Sequence, residues 1–211
     1  MIHADFAIRK LPREFYTGDL LQVAKSLLGK IFVKQDLDNS RFFAGRIVEV
    51  EAYDGAVDEA AHTFIGRTPR NEIMFGIGGY LYVYFTYGMY FCCNVVTGHE
   101  GEGKAVLLRA VEPLEGINFM AQNRLKRDLV NLDTLTKKEF RNLTSGPGKL
   151  CQAYNITREH NGADLLGSSI FIAEGEKVKD DDIVTSKRIG ISKSVDLPWR
   201  FFIMNNPFVS K

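Results

Sequence analysis

The chain has 211 residues, of which 45% are hydrophobic and 25% are charged, a balance typical of a globular protein with one substantial core. Its formal net charge of +1 is far from the basic balance of a dedicated nucleic-acid-binding domain, so any DNA-binding face must be local. No apolar run is long enough for a membrane span, and the N-terminus lacks the basic and apolar segments of a secretory signal. We therefore expect a cytoplasmic protein that does not enter the membrane.

The cysteines and histidines argue against a disulfide framework and against a metal site. Three cysteines occur, two of them adjacent (Cys92 and Cys93) and the third at Cys151, which fits a reducing compartment. The four histidines are scattered, and no Cys-x-x-Cys or His-x-x-x-His pair is present. We expect neither a bound metal nor a cofactor.

Hydrophobic spacing predicts helices and strands in an order without regular βαβ alternation. The predicted helices cover 17–28, a short segment from residue 58, 113–126 and 150–154. The predicted strands cover 30–34, 46–53, a β-hairpin over 80–96, 105–111, 169–173 and 200–204. Residues 128–144 are predicted as loop or irregular helix. This order favours a mixed sheet with flanking helices, in one domain that spans residues 1–211.

The strand over 46–53 carries two glutamates among apolar residues. Strict alternation assigns its residues to two faces, with Ile47, Glu49, Glu51 and Tyr53 on one and Val48, Val50 and Ala52 on the other. Strand carboxylates commonly face solvent, but a carboxylate in a partly dry pocket can act as a general base that takes a proton from water. Both interpretations remain open from the pattern alone.

The hairpin over 80–96 holds five tyrosines, at positions 80, 82, 84, 87 and 90. Aromatic residues are common in strands, so a packed aromatic sheet face explains most of them. Tyr87 is the exception, because a large ring in the turn cannot easily reach the core beneath its own sheet. An exposed ring there is typical of a stacking platform, or of a wedge that fills the gap left by a flipped base.

Three polar residues stand in apolar or turn-like surroundings. Arg109 is the one charged residue in an apolar strand, and a buried arginine needs a partner such as the Glu51 carboxylate or a phosphate. Asn94 is either a hydrogen-bonded core amide or a group that faces a pocket. His62 is either hydrogen-bonded at a helix end or a polar contact for a bound ligand.

The segment Gly-Pro-Gly-Lys at 146–149 only superficially resembles a phosphate-binding loop. The nucleotide-binding motif requires glycine where Leu143 stands, and serine or threonine where Leu150 stands. We therefore exclude a nucleoside triphosphate site. The backbone around Gly148 and the side chain of Lys149 could still bind one phosphate of a DNA backbone.

Several ungapped segments, in the same order, resemble the alkyladenine (3-methyladenine) DNA glycosylase family. They are Gly-Arg-Ile-Val-Glu-Val-Glu-Ala-Tyr at 45–53, Asp-Glu-Ala-Ala-His at 58–62, Arg-Thr-Pro-Arg-Asn at 67–71, Leu-Tyr-Val-Tyr-Phe-Thr-Tyr-Gly-Met-Tyr-Phe-Cys-Cys-Asn at 81–94, Val-Leu-Leu-Arg-Ala-Val-Glu-Pro-Leu-Glu-Gly at 106–116, Ser-Gly-Pro-Gly-Lys-Leu-Cys-Gln-Ala at 145–153 and Arg-Ile-Gly-Ile at 188–191. The resemblance extends over nearly the whole chain, from about Leu11 to Val209.

The resemblance implies an α+β fold: a curved, mainly antiparallel sheet with flanking helices and a protruding β-hairpin, similar to the C-terminal domain of formyltransferases. It implies a monofunctional glycosylase of base excision repair that flips a damaged purine out of double-stranded DNA and hydrolyses its N-glycosidic bond. One active site per chain is enough for a monomer, which is the state that we expect. The implied substrates are 3-methyladenine, 7-methylguanine, hypoxanthine and ethenoadenine. No lysine occupies an obvious pocket position for a Schiff base, so strand cleavage is not expected.

By motif position, the resemblance assigns roles to three groups of residues. The catalytic group is Glu51 as the general base for water, with Arg109 and the backbone carbonyl of Ile189 positioning that water. The base pocket consists of Tyr53, His62, Tyr84 and Asn94, the last of which excludes normal guanine by a clash with its 2-amino group. The DNA contacts are Tyr87 as the intercalating wedge and Met89, Tyr90 and Arg124 along the DNA surface, together with the phosphate contact at Gly148 and Lys149.

Two other classes of function remain in competition. One is an accessory domain of a formyl- or acyl-transferase, which has no reason to carry Glu51, Tyr53, His62 and Tyr87 together. The other is a sensor that binds damaged DNA without cutting it, which would be expected to lack the general base. Release of free base from damaged duplex DNA would separate the three.

Overall fold

A curved antiparallel sheet forms the centre of the protein. The computed structural model describes residues 9–36, 40–86, 88–126 and 132–210. The strands within these ranges are β1 (Ile31–Asp36), β2 (Arg41–Asp54), β3 (Tyr80–Thr86), β4 (Tyr90–Thr97), β5 (Lys104–Glu115), β6 (Ala163–Asp164), β7 (Ile170–Ala173), β8 (Ile183–Ser186) and β9 (Arg200–Ile203). They pair in the order β6-β3-β4-β5-β2-β1-β7, while β9 pairs with β2 and β8 with β9. Each of these pairings is antiparallel.

The long strand β2 explains why the sheet curves. Along the edge opposite β5, its residues 41–46 pair with β1 and its residues 49–51 pair with β9. Between these two halves, register shifts interrupt the β2–β5 ladder from Ile47 to Val50. A bulge bends its strand and increases the local twist. The sheet therefore curls at this point into a half-barrel, as expected for the α+β fold.

The same bulge changes the two faces predicted for residues 46–53. Ile47 packs in the main core with Val50 and Ala52, whereas Val48 packs in a separate small cluster. The prediction that Ile47 shares a face with Glu51 is therefore wrong. An extra residue on β2 breaks the alternation of period two between them.

Five α-helices of the described residues flank the sheet: α1 (Arg13–Tyr16), α2 (Leu20–Leu27), α3 (Ile117–Leu125), α4 (Lys137–Arg141) and α5 (Pro147–Ala153). Short 3-10 helices lie at Glu72–Phe75, Leu132–Thr134, Arg158–His160 and Asp180–Asp182. α2 packs against β2, and α5 packs against β4 and β5. The main hydrophobic core lies between these helices and the sheet, where the buried Tyr154 ring contacts the buried rings of Phe32 and Phe43.

Two helices begin later than the sequence predicts. α2 begins after Asp19 rather than at Thr17, because the Asp19 carboxylate accepts hydrogen bonds from two backbone amides of the first turn. α3 begins at Ile117 rather than at Pro113. Pro113 still belongs to β5, where it lies opposite Gly45 of β2. Tertiary pairing with β2 thus extends β5 beyond the predicted end of the strand.

The helical segment predicted from Asp58 is a series of turns. The Asp58 carboxylate accepts a hydrogen bond from the Ala60 amide, an alternative to helical bonding that aspartate favours. Of the irregular region 128–144, residues 128–131 lie outside the described residues, and the remainder contains α4, which begins at a capping box of Thr136 and Glu139. The short edge strands β6 and β8 were not predicted.

Candidate active site

A cavity of about 500 Å³ opens beside the β2 bulge, where β3, β4, β5 and the loops around residues 60 and 190 meet. Its wall brings together six of the predicted site residues: Tyr53, His62, Tyr84, Asn94, Arg109 and Ile189. A volume of this size is typical of a small-molecule site. Residues that are far apart in the chain therefore line one concave cavity.

Glu51 lies directly behind this wall, with its side chain fully buried. Its Oε1 accepts a hydrogen bond from the Ile189 backbone amide at 2.8 Å and lies 3.2 Å from Nη1 of Arg109. Its Oε2 accepts a hydrogen bond from the Tyr53 hydroxyl at 2.8 Å. Glu51 and Tyr53 thus share a face, as predicted, because the period of two holds beyond the bulge. The three contacts fix both carboxylate oxygens.

Arg109 occupies an irregular position on β5. The ladder passes from the pair Glu49–Ala110 to the pair Val50–Leu108, so Arg109 is the residue that the register skips. Its Nε donates a hydrogen bond to Oε1 of Glu49 at 2.9 Å, while Nη1 faces Glu51. Of the two partners expected for a buried arginine here, a carboxylate or a phosphate, the structure shows carboxylates, and two of them rather than one.

The neighbouring charges in this cluster determine the protonation states of Arg109 and Tyr53. Burial alone would lower the pKa of Arg109, but the adjacent Glu51 and Glu49 carboxylates outweigh it and raise the pKa. Burial, together with the charge and hydrogen bond of Glu51, raises the pKa of Tyr53 well above its usual range. Arg109 therefore remains a cation and Tyr53 a neutral hydrogen-bond donor at neutral pH.

His62 and Tyr84 contribute aromatic rings to the cavity wall, and the Tyr82 ring packs against both of them. The rings of Tyr82 and Tyr84 stack with centroids 5.5 Å apart, and the His62 ring meets Tyr84 edge-on at 4.5 Å. The His62 Nδ1 lies 3.1 Å from the Tyr82 hydroxyl. Burial, helped by the charge of Arg70, lowers the pKa of His62, so its ring is neutral at pH 7. His62 is thus a neutral polar group in an aromatic wall.

Two alternate positions on β4 also face the cavity. Cys92 and Asn94 line it, while Cys93 between them points into the core. Burial raises the pKa of the Cys92 thiol to about 12, so the thiol is uncharged. Asn94 is 5% exposed, and within the described part of the chain its Oδ1 has no hydrogen-bond partner. Of the two interpretations of Asn94, the structure favours the group that faces a pocket.

A buried ion pair that the sequence did not reveal, Arg188 with Asp58, lies against the Tyr53 ring of the site. Arg188 donates from Nη2 to Oδ1 of Asp58 at 2.8 Å and from Nη1 to the Ala52 carbonyl at 2.9 Å. Its guanidinium also lies 4.5 Å from the centroid of the Tyr53 ring. Arg188 directly precedes Ile189, so this pair joins the loop that contacts Glu51 to β2 and to the turn after β2. Asp58 and Arg188 lie 130 residues apart in the sequence, and no local pattern predicts their contact.

The predicted DNA contacts lie at the end of the β3–β4 hairpin and beside it. Tyr87 lies outside the described residues. Met89 is 67% exposed and Tyr90 is 42% exposed. Gly148 packs closely against Tyr90. A Cβ added at Gly148 would lie only 3.1 Å from the Tyr90 Cβ, so a larger residue would be tightly crowded there. The hairpin end and the start of α5 therefore form one continuous surface.

Two cations on this surface bind neighbouring side chains. The Lys149 Nζ donates a hydrogen bond to Oδ1 of Asn142 at 2.8 Å, and Arg124 donates to the side-chain oxygen of Gln152. Burial lowers the pKa of each cation, although both are partly exposed. In the structure, both cations are thus bound to side chains of the protein itself.

Two features are not found in the ranges that the structure describes. No helix there has the length and apolar character needed to cross a membrane. In the same residues, no three His, Cys, Asp or Glu side chains are grouped in a way that could hold a metal ion.

Comparisons with known proteins place the chain among the DNA glycosylases. The model of the methylpurine-DNA glycosylase (MPG) family matches residues 14–207, and the chain belongs to this family. A relative from Alkaliphilus oremlandii is 50% identical over 206 residues, which is 96% of this chain and 99% of the relative. Relatives from Desulfitobacterium hafniense and Clostridium novyi are each 47% identical, over 96% and 97% of this chain and 99% and 100% of their own lengths. All three are provisionally named 3-methyladenine DNA glycosylase. The family resemblance inferred from the motifs is thereby confirmed.

Proposed function

We propose that the protein is a monofunctional DNA glycosylase that flips alkylated or deaminated purines out of duplex DNA and hydrolyses their N-glycosidic bond. The substrates in this proposal are 3-methyladenine, 7-methylguanine, hypoxanthine and ethenoadenine. One observation carries the proposal: a fully buried carboxylate, Glu51, has both oxygens held at the wall of a cavity lined by tyrosines and a neutral histidine. An oriented carboxylate beside an aromatic cavity suits the removal of a flat base by water.

In the proposed reaction, Glu51 takes a proton from a water molecule as the water oxygen attacks the anomeric carbon. The bond from that carbon to the purine nitrogen breaks, and its electron pair leaves with the base. The carbonyl of Ile189 and the guanidinium of Arg109 hold the water, which must enter beside them because Glu51 is enclosed in the free protein. The amide of Ile189 and the hydroxyl of Tyr53 keep the carboxylate in position.

The aromatic wall supplies the preference for damaged bases. Alkylation at N3 or N7 makes a purine cationic, and a cation is attracted to aromatic faces such as those of Tyr53 and Tyr84. His62, which is neutral, adds a polar contact without repelling that charge. We assign to Asn94 the exclusion of normal guanine by a clash with its 2-amino group, in keeping with its buried position on the cavity wall.

The hairpin end is the proposed site of entry into the duplex. Tyr87 acts as the wedge by its motif position, while Met89 and Tyr90 lie along the DNA. Arg124 and Lys149 each exchange their internal partner for a DNA phosphate. Two such local contacts do not require a strongly basic chain, and the net charge here is only +1. One complete site per chain is consistent with a monomer.

A product assay tests this function. The purified protein is incubated with duplexes that contain one 3-methyladenine, hypoxanthine or ethenoadenine, and with an undamaged duplex as the control. We expect free base and an intact strand that breaks only after alkali treatment. Binding without release would indicate a damage sensor, and neither binding nor release would indicate an accessory domain. Strand breaks without alkali would contradict the monofunctional mechanism.

A further inference from the structure

We propose that Glu49 is a positioning residue for the reaction, one that acts on Glu51 through Arg109. This inference rests on the proposed function and adds a residue to its machinery. Glu49 does not line the cavity, and its side chain is fully buried. Three groups donate hydrogen bonds to it: the side chains of Arg109 and Arg200 and the segment around Ser210.

The contacts of Glu49 saturate its carboxylate. Its Oε1 accepts hydrogen bonds from Nε of Arg109 at 2.9 Å, from Nε of Arg200 at 2.7 Å and from the Ser210 hydroxyl at 2.9 Å. Its Oε2 accepts the Ser210 backbone amide at 2.6 Å. A buried carboxylate with four donors is fixed in place, and it fixes the groups that donate to it.

These contacts set the direction of the Arg109 guanidinium. Its Nε is held by Glu49, and its Nη2 donates to the Ser210 hydroxyl at 3.1 Å. The remaining nitrogen, Nη1, is the one that faces Glu51, at 3.2 Å. Glu49 and Ser210 therefore orient the guanidinium so that only Nη1 faces Glu51. They prevent two of its nitrogens from binding the Glu51 carboxylate at once.

The segment that carries Ser210 is built into the same place. Phe208 is 4% exposed and packs with Val48, the residue that the register skips in the β2 bulge, and with Ala110 on β5. Arg200 also donates from Nη2 to the Ser210 carbonyl at 3.1 Å. Apolar packing and hydrogen bonds thus hold this segment against the strands that carry Glu49 and Arg109.

The charges explain why Glu49 affects chemistry and not only stability. Two carboxylates, Glu49 and Glu51, balance two guanidiniums, Arg109 and Arg200, in a buried cluster. Without Glu49, two cations would share the single carboxylate of Glu51. Arg109 would then bind Glu51 with two nitrogens, and the carboxylate would lose its capacity to accept a proton from water. Glu49 thereby keeps Glu51 available as a base.

The test compares Glu49→Gln with the double variant Glu49→Gln/Arg200→Gln. The measurements are the single-turnover rate of base release from a damaged duplex, the Kd for that duplex and the Tm. In metal sites, removing the residue that orients a ligand side chain typically lowers activity by about 10- to 100-fold. By analogy, we expect Glu49→Gln to release base about 10- to 100-fold more slowly, with the Kd for the duplex unchanged. The double variant restores one carboxylate against one guanidinium, so its rate should exceed that of the single variant.

The opposite results would overturn the inference. A structural role alone predicts that Glu49→Gln keeps the wild-type rate once folded, and that the double variant is no faster than the single one. If Glu49→Gln does not fold, Ser210→Ala decides, because it keeps all four charges and removes one hydroxyl. Ser210→Ala should slow release by about 2- to 10-fold at unchanged Kd, and a wild-type rate would contradict us. Wild-type protein that releases no base would instead refute the proposed function itself.

Discussion

The buried pair of Asp58 and Arg188 makes a quantitative prediction for Asp58→Asn. Both side chains have 0% exposure, and the substitution leaves the Arg188 cation buried without its charge partner. Removal of one member of a buried pair typically costs about 3–5 kcal/mol of unfolding free energy. For a chain of this size, each kcal/mol lowers the Tm by about 2–4 °C, so the expected loss is about 6–20 °C. Calorimetry or denaturant unfolding would measure it.

Asp196→Asn provides the matched control. Asp196 pairs with Lys187 at 2.9 Å in the same region of the chain, but these two side chains are 89% and 69% exposed. A solvated pair contributes roughly 0–1 kcal/mol, so the control should unfold close to the wild type. The reasoning would be refuted if Asp58→Asn and Asp196→Asn lost similar stability.

A double-mutant cycle separates the charge from the packing. Arg188→Met removes the cation and keeps much of the apolar stem that lies on Tyr53. Once the cation is gone, Asp58→Asn should cost less than it does in the wild type, because no unpaired charge remains. Strictly additive losses would show that Asp58 and Arg188 do not act as a pair.

Two further predictions concern pH and the hairpin end. His62 has a pKa below its ordinary value of 6.5 in the folded protein, so the unfolded chain binds more protons as the pH falls. Its contribution to stability is therefore complete above about pH 6.5 and is lost below it; His160 acts in the same direction. The Tm should fall less between pH 7.5 and 5.5 in His62→Gln than in the wild type, and equal falls would contradict this. Tyr87→Ser should weaken activity on duplex DNA far more than release from a base that is already exposed, and equal losses on both substrates would remove the wedge role.

The sequence predicted most of what one strand or one motif determines. Glu51 and Tyr53 lie two residues apart on one strand, and alternation correctly placed them on one face. The requirement that a buried charge be paired correctly predicted an anionic partner for Arg109, either a carboxylate or a phosphate, and the structure shows two carboxylates. The tyrosine-rich hairpin was likewise recognisable, because strand propensity and a glycine-containing turn are local signals.

What the sequence could not predict depends on contacts between distant segments. The bulge arises in the pairing of β2 with β5, and it moved Ile47 to the other face although its own neighbours in the chain favoured strict alternation. Ser210 reaches Glu49 across 161 positions, and nothing in the residues beside it in the sequence predicts this contact. Such contacts form only when distant segments pack together in the folded protein, so local sequence patterns cannot predict them.

The most direct measurement is the single-turnover rate of base release by Glu51→Gln. Its control is Glu59→Gln, which removes a carboxylate from the wall of the same cavity, where Glu59 pairs with exposed Lys193. We predict that Glu51→Gln loses about 10²- to 10⁴-fold in rate, the range for a general base, while it binds damaged duplex as the wild type does. Glu59→Gln should release base at nearly the wild-type rate. Full activity in Glu51→Gln would contradict the assignment of Glu51 as the base that activates water.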